Sequence, residues 1–109
     1  MLIEKPIKVG EIISIMLVTT QEIIAKLHHI NADSSIEIIE PLNLNIAVDQ
    51  TGTPVIQMLP MMVSAGDSKK AVTILRSHYI IMQLASEQAK NGYLRNTTGL
   101  DIPASSLRL

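Results

Sequence analysis

The run "TILRSHYIIM", residues 73–82, sets Arg76, Ser77 and His78 between two stretches of apolar β-formers. "AVTIL" before it and "YIIMQL" after it read as short strands, so the polar tripeptide reads as the turn that divides them. Two of its three side chains are able to donate to an anion. Nothing around it is basic, and the whole chain carries a formal net charge of −1. The surface as a whole is therefore a poor non-specific nucleic-acid binder, and any attraction for an anion has to be local.

Upstream of this turn the chain keeps the same habit. Its 109 residues make one domain with a modest core. Hydrophobic residues are 47% of the total, yet only Tyr79 and Tyr93 are aromatic. Isoleucine (17 residues, against 12 leucines) carries the apolar content, and β-branched side chains suit a pleated surface. "EIISIMLVT" reads as a strand buried on both faces and "TTQE" as a break of hairpin size. "EIIAKLHHI" alternates, with Ile23, Ala25 and Leu27 on one side and Glu22, Lys26 and His28 opposite, beside Ile24. "NADSS" is a second polar break, rich in side chains that bond their own backbone.

In "IEIIEPLNLNIAVD", Ile36, Ile38, Leu42, Leu44, Ile46 and Val48 share one parity, with Glu40 the exception. Pro41 cannot donate to a ladder and predicts a bulge, a bend or an edge. "DQTGTP" is the next turn, "VIQMLPMMV" a strand interrupted by Pro60, and "SAGDSKK" a flexible loop. After residue 84 the pattern changes. Ser86 can cap a helix, and Ala85, Ala89 and Tyr93 recur at helical spacing, which predicts a helix over 85–98 despite Gly92. The expected protein is one domain over 1–109: a mainly β core at about 11–84, forming a small, strongly bent antiparallel barrel, then the C-terminal helix and a loose tail at 99–109.

Several chemistries find no support. Cysteine is absent, which removes disulfides and thiolate metal sites. His28 and His29 are adjacent, hence on opposite faces of a strand, and have no spaced third ligand; one rim and one half-buried histidine are expected. Ser77 and His78 are adjacent too, which disfavours a nucleophile–base pair. Glu37 and Glu40 lie on opposite faces, and no phosphate-cradling glycine motif occurs. No enzyme, no cofactor and no metal are expected. No stretch approaches the ~20 apolar residues of a membrane helix. "MLIEKPIKVG" breaks with Glu4 and Pro6 where a signal peptide would stay apolar, so a cytoplasmic protein without a membrane partner is expected. A mean hydropathy of +0.29 in so short a chain predicts self-association to cover apolar surface.

The order of these pieces resembles the Sm/LSm family, the ring-forming RNA-binding proteins that include bacterial Hfq. The family's first motif runs apolar-x-Leu-x-x-Gly-x-x-x-x-Gly-x-Leu-x-x-aromatic-Asp-x-x-Met-Asn. Laid along "IMLVTTQEIIAKLHHINADSS" from Ile15, it puts Thr20 and Ala25 at the two glycines and Leu27 at the leucine. Ile30 replaces the aromatic, Asn31 the Asp and Ser35 the Asn, while Asp33 stands where a base-stacking side chain often sits. The second motif, apolar-Arg-Gly-x-x-apolar, is matched by Leu75, Arg76, Ser77, His78, Tyr79 and Ile80. The chain is also similar to small Sm-like proteins of marine tailed phages, which would place it in the host cytoplasm.

The resemblance covers 12–40 and 71–84. It implies a homo-oligomeric ring of about five to seven subunits, with the tripeptide turn and the Asn31–Ser35 loop facing the pore. Single-stranded RNA or DNA would be bound there through Asn31, Ser35, Arg76 and His78. A ring that serves as a phage scaffold or protein-interaction factor without nucleic acid is the alternative, as is an Arg76 that pairs with an acid such as Asp33 and only fixes its turn.

Overall fold

A computed structural model describes residues 7–61 and 70–97. Six strands and one helix lie within them: β1 (Ile12–Leu17), β2 (Glu22–Ile30), β3 (Ile36–Val48), β4 (Pro54–Pro60), β5 (Val72–Ile74), β6 (Tyr79–Leu84) and α1 (Glu87–Thr97). The fold is mainly β, a small and strongly bent antiparallel sheet with the expected C-terminal helix. The expected flexible loop at 64–70 and loose tail at 99–109 lie outside the described residues, except for Lys70.

The hydrogen-bonded order is β4-β3-β2-β1-β6, with β5 beside the start of β3. All five pairings are antiparallel, as short connections demand. Alternation decides what the bend encloses. Ile13 faces Ala25 and Ile15 faces Ile23 across β1 and β2. With Leu17, Leu27, Ile36, Ile38, Ile74 and Tyr79 they form the interior of the barrel-like sheet. β1 is apolar on both faces because there are two cores. Ile12 and Ile24 point outward and are buried with Leu42, Met58 and Tyr93 under α1.

Three irregularities shape the sheet. At the first, β2 advances two residues from Ile24 to Lys26 while β3 steps back three, from Leu42 to Ile39, so β3 holds one extra residue around Glu40 and Pro41. Glu40 sits at φ 50, in the left-handed region. This bulge exchanges the faces of β3. Ile36 and Ile38 fill the barrel interior, whereas Leu42 belongs to the core under the helix. The shared parity of these residues is therefore not a shared face. A second bulge, between Leu27 and His29, leaves His28 and His29 both exposed, so the half-buried histidine expected there is not found. The third, in β6, lets Leu17 face Tyr79 while Met16 faces Ile81.

Beyond Asn43 the last partner on β2 is passed, and β3 continues with β4 alone as a two-stranded arm. Its tip is closed by Asp49, whose Oδ1 accepts from the Thr51 and Thr53 backbone N–H groups, both at 2.9 Å. Met61 N–H donates to Pro41 O at 3.0 Å, so Pro60 ends the strand at the root of the arm.

Candidate nucleic-acid interface

Residues 31–35 turn the chain from β2 into β3 and satisfy themselves. Asn31 N–H donates to Ser35 O at 2.9 Å and Ser34 N–H to Asn31 O at 3.0 Å, with Ser34 at φ 70. The side chains close a second circuit. Ser35 Oγ donates to Asp33 Oδ1 at 2.6 Å and accepts from Asn31 Nδ2 at 2.9 Å. Ser35 N–H adds a bond to the same carboxylate oxygen at 2.9 Å. Hydroxyl first and amide second, these donors hold the Asp33 carboxyl below its ordinary pKa. Ser35 is buried, at 3% exposure.

The tripeptide Arg76–His78 forms one turn of 3₁₀ helix between β5 and β6. Leu75 O accepts from His78 N–H, and His78 O accepts from Val18 N–H, both at 2.9 Å, which binds this turn to the one between β1 and β2. All three side chains are exposed. Arg76 Nη1 donates to Tyr79 O at 2.8 Å, and its Cζ lies 4.6 Å from the centroid of the Tyr79 ring. This cation–π contact and the one hydrogen bond leave most of the five guanidinium N–H donors unengaged.

Tyr79 joins the two polar turns. Its ring lies under Arg76, and its hydroxyl donates to Ser34 O at 2.7 Å. Asn31, Ser35, Arg76 and His78 therefore belong to two turns that meet through one buried side chain. Within that group the roles divide. Arg76 and His78 present exposed functional groups, while the hydroxyl of Ser35 and the amide nitrogen of Asn31 are engaged in the turn itself. Arg76 holds its turn through the Tyr79 carbonyl and ring, and no Arg76–Asp33 ion pair occurs among the described residues. Sequence reasoning missed Tyr79 as the link. The available signal was an aromatic side chain three residues after the arginine, in a chain with only two aromatics.

A second concavity, of about 940 Å³, lies between α1 and the outer face of the sheet. Ile12, Ile39 and Leu94 are among its apolar lining, and its charged lining is mixed: Glu11, Lys26, Glu40, Glu87 and Lys90. No three histidine, cysteine or carboxylate side chains are grouped for a metal among the described residues. No helix among them is long and apolar enough to cross a membrane. No family model matches the chain, and no curated protein is significantly similar to it in sequence.

Proposed function

We propose that the protein is an Sm-like homo-oligomeric ring that binds single-stranded nucleic acid, RNA or DNA, at the pore and carries out no chemistry on it. The observation that carries this reading is the Arg76 guanidinium, exposed, held over the Tyr79 ring and tied through it to the Asn31–Ser35 turn. A planar cation held in place loses less freedom on meeting a phosphate than a free one does. A ring repeats the site in every subunit, so a nearly neutral chain gathers a cationic collar.

Two details support the alignment behind the reading. Thr20, at the first glycine position of the motif, has φ 69, a conformation glycine adopts without strain. Ala25, at the second, is fully buried, opposite Ile13 and at the register shift between β2 and β3. Among the described residues the sheet order also leaves β6 without a strand on one side, with Ile80, Ile81 and Leu84 exposed along it. An edge of this kind invites a second copy of the chain.

A scaffold ring without nucleic acid is favoured by one observation. The arm of β3 and β4 exposes Ile46 at 80% and Val48 at 67%, a surface suited to protein rather than nucleic acid. Filter binding of oligo-U, oligo-A and single-stranded DNA at two salt concentrations decides between the two. Saturable binding that weakens with salt is expected of the favoured reading, and no binding at low salt would leave the scaffold.

A further inference from the structure

We infer that the site reads the nucleic-acid backbone and stacks on bases without distinguishing them, an inference that rests on the nucleic-acid reading above. Base discrimination needs donors and acceptors free to meet the edges of a splayed base. The Asn31–Ser35 turn offers few. Its Ser35 hydroxyl is occupied as donor by Asp33 and as acceptor by Asn31, and Ser35 is 3% exposed. Asn31 Nδ2 spends one of its two N–H groups on Ser35, and Asp33 Oδ1 takes both the Ser35 hydroxyl and its amide. The circuit is closed side chain to side chain, so a base that drew on the Ser35 hydroxyl would have to break bonds already made within the turn.

The exposed groups have a different chemistry. The Arg76 guanidinium lies over the Tyr79 ring with Nη1 anchored by the Tyr79 carbonyl, and the residue is exposed, which leaves its other N–H donors accessible. A guanidinium edge fits two phosphate oxygens. The His78 side chain is exposed, while its backbone N–H and carbonyl are held within the protein, so the imidazole is presented on a fixed support. Every base has a π-face, so a stacking imidazole is tolerant of sequence. The negative Asp33 beside the turn adds no base-reading donor, and its carboxylate is already turned onto Ser35.

The test uses the full-length protein and four labelled RNA oligomers of one length: oligo-U, oligo-A, oligo-C and a mixed sequence containing guanine. Dissociation constants within about threefold of one another are expected of backbone reading and stacking, each with the same dependence on salt. A preference of more than about tenfold for one base, the scale of hydrogen-bonded base readout, would overturn the inference and leave the nucleic-acid reading standing. Absence of binding by all four oligomers and by single-stranded DNA at low salt would overturn both.

Discussion

Tyr79 and Tyr93 are the chain's two aromatic residues, and each hydroxyl donates to a main-chain carbonyl far back in the sequence. Tyr79 reaches Ser34 O at 2.7 Å across 45 positions, and Tyr93 reaches Ile39 O at 2.9 Å across 54. Both therefore fasten the first half of β3, one at its entering turn and one just before its bulge. Neither partner was legible in the sequence, because a hydroxyl's acceptor is chosen by tertiary approach and not by local pattern. The exposure of the tripeptide was legible, since three polar residues between apolar runs have nowhere else to go.

Burial, and then the negative charge of Glu40, push the Tyr93 phenol well above its ordinary value of 10.0. The unfolded chain then loses its Tyr93 proton at a pH where the folded protein keeps it. Stability from this group is complete below the unfolded pKa and falls as pH rises beyond it. Denaturant midpoints measured from about pH 8 to 11 should decline more steeply for the native protein than for Tyr93→Phe. Parallel declines would show that the phenol is not held neutral by the fold.

At the scale of elements, the helix was legible to within two residues. Ala85 N–H still donates to Ile12 O at 3.1 Å, as a continuation of the sheet, so α1 begins only after Ser86. Ser86 is the cap foreseen for it, with Oγ accepting from Ala89 N–H at 3.2 Å. Ser86→Ala should lower stability by about 1 kcal/mol, and an unchanged melting temperature would remove the cap from the account.

Gly92 weakens the helix by propensity, and the structure gives its reason. A Cβ there would stand 2.9 Å from Met58 Cε, so glycine lets the helix settle on β4. Alanine at 92 should therefore gain little in the native protein, where Met58 must move. In a Met58→Ala background the same change should stabilise by about 1 kcal/mol, the full propensity difference. Equal effects in both backgrounds would mean that Met58 does not constrain the helix.

The bulge in β3 was only half legible. Pro41 marked its place, but a change of face depends on how many residues the partner strand advances, which the sequence of β3 alone does not state. The residues that share one parity across Pro41 are therefore divided by the bulge between two cores.

At the scale of the whole molecule, the bent sheet and its helix followed from the order of the elements, and the adjacency of the two polar turns was expected only through the family resemblance. The closed circuit within residues 31–35 did not, since it depends on a local geometry that Ser34 at φ 70 completes. The edge of β6 exposes Ile80, Ile81 and Leu84, and the arm of β3 and β4 exposes Ile46 and Val48. Pairing of edges around the proposed ring would cover the first of these and satisfy its backbone groups. Light scattering at micromolar concentration should return an oligomer of about five to seven subunits; a monomer would contradict the ring.

In the proposed ring, Arg76 meets the phosphate backbone from a turn whose fold does not depend on it alone. Affinity for single strands should fall with salt by roughly 0.7 log units per log unit for each phosphate neutralised. The most direct test measures that slope and the oligomer mass on one preparation of Arg76→Ala. The account predicts weaker binding, a flatter slope and an unchanged mass. An oligomer that falls apart while binding per folded protein and the slope stay as they were would assign Arg76 to the turn and contradict the site.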